Sequence, residues 1–436
     1  YNTACGISAL ESNTTASNNT AVGRNAMAVN TTGTQNVAVG ALALDANTTA
    51  DDQVAIGYQA LSATTTGSFN TAVGKNAMVN NTTGGLNVAI GVNAMANVTT
   101  ANHNVAVGAN TSNQNQTGTH NCAVGSYTLQ ANTTNYQTAI GAYALNATTT
   151  GANNTGCGYQ ALLSNTTGEN NVAVGAYALD ASTTAPRNVA VGSFALSAAT
   201  TGEENVAIGQ ATLQNLTTGT KNTVVGQTAA YNLTTGVNNT AVGRGAMYDG
   251  SSSYNVAVGL NALYNTAANY NTAVGYQAGQ ASSTGTNNSS FGYNAQPSNT
   301  NNSNEVTLGN SSVTALRCQQ TSISSLSDRR DKTDIVDLPL GLDFLNKIRP
   351  VKFKWDIRNV EEGNPYQGKV RAGFIAQELQ EAQKESDAEF MDLVFDLAPE
   401  KLEAKQGNLI PVLVQAVKEL SAENTVLKAR LDAAGL

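Results

Sequence analysis

The sequence predicts a mainly β fold: a homotrimeric parallel β-solenoid, or β-roll, of about 17-residue coils, followed by an α+β domain that ends in a long coiled-coil helix. Three observations predict it. A repeat of fixed length fills residues 1–310, the chain changes from nearly uncharged to highly charged near residue 327, and the last helix carries a heptad pattern. The predicted domains are 1–310, a neck or linker at 311–326, and 327–436.

The repeat is defined by a glycine that ends each "AVG"-like tripeptide. Most steps between these glycines are 17 residues and three are 16, so nearly every unit has the same length. A constant length indicates one turn of a stack per unit. The nineteen glycines are Gly6, Gly23, Gly40, Gly57, Gly74, Gly91, Gly108, Gly125, Gly141, Gly158, Gly175, Gly192, Gly209, Gly226, Gly243, Gly259, Gly275, Gly292 and Gly309.

Each unit contains a short alternating segment that is typical of a strand. The residue before the glycine is usually Val or Ile, and these residues are predicted to stack as a dry aliphatic ladder, with Ala on the opposite face. An Ala-Leu or Ala-Met pair after the glycine predicts a second buried contact, in a strand or in one helical turn. The ladder includes Val22, Val39, Ile56, Val73 and Ile90.

An amide side chain precedes each strand in a constant register, for example Asn19, Asn36, Gln53 and Asn70. Stacked amides can hydrogen-bond from one coil to the next, so these positions predict an internal ladder. Each coil otherwise encloses only one or two larger aliphatic side chains and several alanines. A core that thin indicates that several chains share it.

The repeats resemble the head repeats of trimeric bacterial adhesins, and more closely the repeat arrays of phage tail fibres. The resemblance covers most of the chain and implies three rolls packed around one axis. It supplies the expectation of a homotrimer.

The surface of the repeat region offers one candidate binding feature. Tyr58, Tyr143, Tyr159 and Tyr177 follow a coil glycine closely and are predicted to form an exposed column. Such a column could stack against the sugar rings of a glycan, or it could shield the edge of the solenoid. Carboxylates are sparse in these coils, so a glycosidase site is not expected.

Composition and charge exclude several other classes. The net charge of −8 argues against nucleic-acid binding, and no apolar run is long enough to span a membrane as a helix. The four cysteines have no metal-site spacing, so neither a metal nor another cofactor is expected. The chain begins at Tyr1, which indicates a fragment or a processed product that lacks an N-terminal part.

Beyond residue 327 about every third residue is charged, which is typical of a conventional α+β domain. "GLDFLNKI" predicts a short helix, "PVKFKW" a strand, "AGFIAQEL" a strand entering a helix, and "FMDLVFDL" another strand. The terminal helix shows apolar residues at alternating steps of three and four, which favours a coiled coil over packing on its own domain. The predicted trimer seam is Leu413, Val417, Leu420, Asn424, Leu427 and Leu431.

The motifs "SDRRDKTDI", "LNKIRPVKFKW", "AGFIAQEL" and "LVQAVKELSAENTVLKARL" together resemble the intramolecular chaperone domain, or peptidase S74 domain, of phage tail fibres, tailspikes and endosialidases. The resemblance implies a domain that trimerises, sets the register of the preceding β-structure and then cuts itself off. The implied scissile bond joins Leu326 to Ser327. Ser327 is the implied nucleophile and Lys332 its base, a pairing that nucleophilic catalysis by serine requires.

The expected function is therefore that of the distal part of a phage tail fibre or spike for host-surface attachment, located in the virion tail after assembly in the host cytoplasm. The expected partners are two further copies of the chain, a host glycan or protein receptor, and other tail proteins through the missing N-terminal part. The alternatives are a glycan-degrading tailspike and a trimeric bacterial surface adhesin.

Overall fold

The computed structural model describes residues 1–313, 315–317, 327–356, 367–396 and 402–435. The chain divides into two compact units, Tyr1–Leu308 and Gly309–Leu436. Most of the predicted neck, including Leu326, lies outside the described residues.

The first unit is a parallel β-solenoid, as the repeat predicted. Each coil contributes one three-residue strand, and each strand pairs in parallel with the strand of the next coil, so that alanine stands over alanine. The strands are β1 (Thr3–Cys5), β2 (Thr20–Val22), β3 (Val37–Val39), β4 (Val54–Ile56), β5 (Thr71–Val73), β6 (Val88–Ile90), β7 (Val105–Val107), β8 (Cys122–Val124), β9 (Thr138–Ile140), β10 (Thr155–Cys157), β11 (Val172–Val174), β12 (Val189–Val191), β13 (Val206–Ile208), β14 (Thr223–Val225), β15 (Thr240–Val242), β16 (Val256–Val258), β17 (Thr272–Val274), β18 (Ser289–Phe291) and β19 (Val306–Leu308).

The predicted inward face of the strands is wrong for a single chain. The central alanine, such as Ala38, is fully buried, whereas Val22 and Ile56 of the expected ladder are 37% and 39% exposed. Successive side chains of a strand point to opposite faces. When the middle residue of a three-residue strand points inward, the two outer residues therefore point outward. The interior is narrow, so that middle residue is alanine, and the Val and Ile side chains form a stripe on the outer surface.

The Ala-Leu or Ala-Met segment forms the opposite wall of the core, and its prediction as a buried contact is confirmed. Leu44, Leu61 and Met78 are fully buried. The segment is neither a strand nor a helical turn, because alternate residues have a positive φ, 58° at Leu42 and 53° at Leu44. The backbone amides of these two residues donate to different neighbouring coils. Leu42 N donates to Arg24 O of the preceding coil at 2.9 Å, and Leu44 N donates to Ala60 O of the following coil at 2.9 Å.

The amide ladder is confirmed, and it also ties side chains to the backbone. Asn36 N donates to Asn19 Oδ1 at 2.9 Å, and Asn36 Nδ2 donates to Ala50 O at 2.9 Å. Both Asn19 and Asn36 are buried. A buried amide that loses such partners destabilises the fold by about 1–3 kcal/mol per group. The ladder therefore holds equivalent positions of adjacent coils in register.

The second unit is a small α+β arrangement that contains every element predicted for it. Its core includes Leu340, Phe344, Leu379, Leu393 and Val412. The helices are α1 (Leu342–Leu345), α2 (Ala376–Lys384) and α3 (Ile410–Ala434), with 3₁₀ turns at Arg329–Asp331, Glu389–Met391 and Gln406–Leu409; the strands are β20 (Val351–Lys354), β21 (Val370–Gly373), β22 (Val394–Phe395) and β23 (Glu403–Ala404), paired antiparallel as β20–β21 and β22–β23.

Candidate functional site

A single tight turn carries the predicted catalytic pair. Asp328 precedes the 3₁₀ turn Arg329–Asp331, and Lys332 follows it in an extended conformation. Asp331 N donates to Asp328 O at 3.2 Å, and Lys332 N donates to Arg329 O at 3.2 Å. These bonds fold the chain back so that the side chains at both ends of the turn meet.

The two predicted residues are in direct contact. Lys332 Nζ donates a hydrogen bond to Ser327 Oγ at 2.6 Å. Both side chains are exposed. A lysine at hydrogen-bond distance can take the proton of a serine hydroxyl once the amine is neutral, so the geometry suits nucleophilic catalysis.

Two of the charged residues next to this pair, Asp328 and Arg330, form an ion pair with each other. The Arg330 guanidinium donates to Asp328 from Nε at 3.1 Å and from Nη2 at 2.6 Å. The hydrogen bonds from the Arg330 side chain hold the pKa of Asp328 below its ordinary value, and the same contact raises the pKa of Arg330. The positive charge of Arg330, which would disfavour a charged lysine nearby, is therefore offset by the Asp328 carboxylate.

A second contact ties α3 to the start of α1. Leu342 N donates to Glu419 Oε2 at 2.7 Å, across 77 residues of sequence, and Gln415 Nε2 donates to Glu419 Oε1 at 3.0 Å. A carboxylate at the first turn of a helix meets unsatisfied amides. The Leu342 amide is the main reason that the pKa of Glu419 lies below its ordinary value of 4.5.

Replacing Glu419 with glutamine is expected to destabilise this unit near neutral pH, with the difference from wild type shrinking as the solution is acidified. A carboxyl whose pKa is lowered by folding contributes stability above its unfolded pKa and loses that contribution as the pH falls through its folded pKa. The fluorescence of Trp355, the single tryptophan, would follow unfolding of this unit in the full chain. Glu423→Gln, an exposed position on the same helix, is the control; an equal effect of both variants would contradict the assignment.

The predicted seam of α3 lies on a different face from the one packed on its own unit. Val412 and Ala416 are buried, whereas Leu413 and Val417 are 48% and 65% exposed. Leu420, Leu427 and Leu431 are also exposed, and Asn424 Nδ2 donates to Leu420 O of the same helix at 2.9 Å. The helix therefore presents an uncovered apolar row, and the coiled coil stays a prediction.

The tyrosines predicted as a column lie in two groups. Tyr143, Tyr159 and Tyr177 contact one another in successive coils, with ring centroids 6.3 Å and 5.4 Å apart and rings nearly perpendicular. Tyr58 follows β4 and is five strands earlier than Tyr143, which follows β9. Ring-to-ring contact covers part of each aromatic face. This arrangement is compatible with stacking against a glycan and with shielding of the solenoid edge.

His103 and His120 lie one repeat apart in the sequence, a spacing that predicts a stack of their rings, and both belong to a second exposed aromatic group. The His103 and His120 rings stack at 4.9 Å, and His120 stacks on Tyr136 at 5.3 Å. All three residues occupy the same position of the repeat, five residues before the coil glycines Gly108, Gly125 and Gly141. This common position is the sequence signal that would have added Tyr136 to the stack.

The adjacent carboxylates of Glu203 and Glu204 are engaged by one cation. Both contact Arg187, at 2.6 Å and 3.0 Å, and all three side chains are partly exposed. The adjacency of Glu203 and Glu204 in the sequence predicts that they split across a corner of the coil, whereas in the structure both carboxylates contact the same arginine.

A long parallel solenoid followed by an α+β unit with a Ser–Lys contact fits the class of phage tail fibres and tailspikes. Residues 327–388 match the Peptidase_S74 family, described as the chaperone of endosialidase. The matched segment begins at Ser327 itself and ends before α3. No curated protein matches the chain. Among the described residues no helix is long and apolar enough to cross a membrane.

Proposed function

We propose that this protein is the distal part of a homotrimeric phage tail fibre or spike whose C-terminal unit sets the register of the solenoid and then cleaves itself off between Leu326 and Ser327. The contact of 2.6 Å between Lys332 Nζ and Ser327 Oγ, at the first residue of the matched family segment, carries the proposal. The peptidase family suggests self-cleavage, and this pair supplies a nucleophile and a base.

The proposed reaction is an acyl shift followed by hydrolysis. Neutral Lys332 takes the Ser327 hydroxyl proton while Oγ bonds to the carbonyl carbon of Leu326. The C–N bond then breaks, and the Ser327 nitrogen receives the proton from Lys332 and becomes a free amine. Water opens the resulting ester, which leaves a carboxylate on Leu326 and restores the Ser327 hydroxyl. Each chain turns over once.

Assembly of several chains would supply the desolvation that Lys332 lacks in a single chain. Both side chains of the pair are exposed, and a lysine acts as a base only in its neutral form. Desolvation by neighbouring copies favours the neutral amine. Cleavage would therefore follow association of the chains, which suits a chaperone that is discarded after use.

Two uncovered apolar surfaces support association of identical chains. The Val and Ile side chains of successive strands form a continuous exposed stripe along the solenoid, and α3 exposes its heptad seam. Monomeric soluble proteins rarely expose contiguous apolar surface of this extent. Because the coils are nearly identical, chains could align in many shifted registers, and a clamp at one end would select one.

In this proposal the assembled solenoid contacts a host-surface glycan or protein, other tail proteins bind through an N-terminal part, and the protein resides in the virion tail. The exposed aromatic side chains of Tyr143 and Tyr159 and the half-buried one of Tyr177 are the proposed glycan contacts near the middle of the solenoid, and Tyr58 is a separate one. Aromatic rings stack on the apolar faces of sugars.

Mass measurement tests the copy number and the cut together. We expect a native mass of three copies and denatured masses of residues 1–326 and 327–436. Oxidation of a variant that keeps Cys157 as its one cysteine should also give covalent dimers, because Cys157 replaces a residue of the exposed stripe. A disulfide needs Cα atoms about 4.4–6.8 Å apart, so slipped chains would react poorly. A monomeric native mass would contradict the proposal.

A further inference from the structure

We propose that Asp328 is a positioning residue for the self-cleavage, which brings Lys332 to Ser327 by capping the turn between them. The inference rests on the proposed function of this pair. Asp328 touches neither reacting atom, and it acts on the geometry of the segment that carries them.

The turn is what makes the catalytic contact possible. Residues five apart can be separated by up to about 17 Å in an extended chain, yet Ser327 Oγ and Lys332 Nζ are 2.6 Å apart. The turn has only two backbone hydrogen bonds, at 3.2 Å each, and it contains no buried residue. A short exposed 3₁₀ turn of this kind has little packing to hold it, so a side-chain cap is its main additional support.

Asp328 provides that cap. Its Oδ1 accepts a hydrogen bond from Arg330 N at 2.9 Å, and its backbone has the extended conformation usual for a capping residue, with φ −70° and ψ 134°. Loss of a side-chain cap costs such a segment enough free energy to unfold it in a large fraction of molecules.

The same carboxylate also binds the Arg330 side chain, but the two roles can be separated. The ion pair is highly exposed, with the Arg330 side chain 88% accessible, and exposed ion pairs contribute little stability. The cap needs only a short acceptor, which asparagine also offers. Asparagine at this position should therefore preserve cleavage although it removes the charge.

The test compares two neutral amides of different length in the full chain. Asp328→Asn keeps an acceptor at capping distance, whereas Asp328→Gln places its amide one methylene further away. Synthesis of each chain in a cell-free system, with samples taken over time, gives the rate at which full-length protein becomes residues 1–326 and 327–436. We expect Asp328→Asn to cleave within about threefold of wild type and Asp328→Gln about tenfold more slowly.

Two controls separate positioning from folding and from the proposed function. Asp331→Asn changes a carboxylate of the same turn that makes no hydrogen bond within the described part of the chain, and it should cleave as wild type. Chemical cross-linking of the uncut chains should show equal assembly of all variants. Equal rates for Asp328→Asn and Asp328→Gln, or an equal loss on Asp331→Asn, would overturn the inference. A wild-type chain that is never cut would instead overturn the proposed function.

Discussion

Replacing Ser327 with alanine is expected to leave a single full-length species, with cleavage slowed by at least about a thousandfold. The substitution removes the oxygen that lies 2.6 Å from Lys332 Nζ and that would form the ester with the preceding residue. Denaturing mass spectrometry of the purified protein measures the effect. The assembled state should be unchanged, because Ser327 is exposed and its side chain supports no part of the core.

A second Ser–Lys contact in the same unit provides a matched control. Lys347 Nζ donates to Ser386 Oγ at 2.9 Å, and both side chains are exposed. Ser386→Ala should be cut as rapidly as wild type, since the contact lies outside the turn that precedes the scissile bond. A Ser327→Ala chain that is still divided between residues 326 and 327 would show that another nucleophile acts.

Replacing Gly158 with alanine is expected to destabilise the solenoid by about 3–5 kcal/mol. Gly158 has a φ of 145°, a conformation that alanine rarely adopts, and a Cβ atom there would lie 2.4 Å from Gly175 O of the next coil. That oxygen belongs to the backbone, so neither coil can yield without breaking the stack. The rate of unfolding in guanidinium chloride is the suitable measurement, because such assemblies unfold slowly.

Gly156 lies two residues away and provides the matched control, because the same substitution there is expected to have a much smaller effect on stability. It occupies the buried position that alanine fills in neighbouring strands, and a Cβ atom there would have its nearest contacts at 3.3 Å. Gly156→Ala should cost far less than Gly158→Ala, because the backbone conformation there suits alanine and the neighbouring atoms need to move by only a few tenths of an ångström. Equal damage from both variants would mean that the solenoid tolerates no added methyl group in β10 or directly after it, whatever the backbone conformation.

The repeat region illustrates which features of a fold a local pattern encodes. The spacing of the glycines was enough to predict one coil per unit, and the recurrent amides were enough to predict a ladder. Both features depend on interactions between identical positions of adjacent coils. A fixed period therefore specifies them without any knowledge of the rest of the chain.

The inward face of each strand could not be predicted in the same way. All three residues of a strand such as Val37–Val39 are apolar, so alternation gives no choice between the two faces. The width of the interior decides it: Leu44 and its equivalents fill the opposite wall, and alanine is what fits across from them. The exposed stripe of Val and Ile became visible only once that choice was known.

The pair Ser327 and Lys332 was predicted from the resemblance of the surrounding motif to the S74 domain, and its contact forms locally because the two residues are five apart and one turn suffices to join them. The sequence alone thus determined the stacking period, the amide register and the candidate Ser327–Lys332 pair. Only the tertiary structure decided the inward face, the joint engagement of Glu203 and Glu204 by Arg187, and the capping of α1 by Glu419. The physical reason is that each of these depends on the space or charge left by residues of another coil or a distant segment, which no local spacing records.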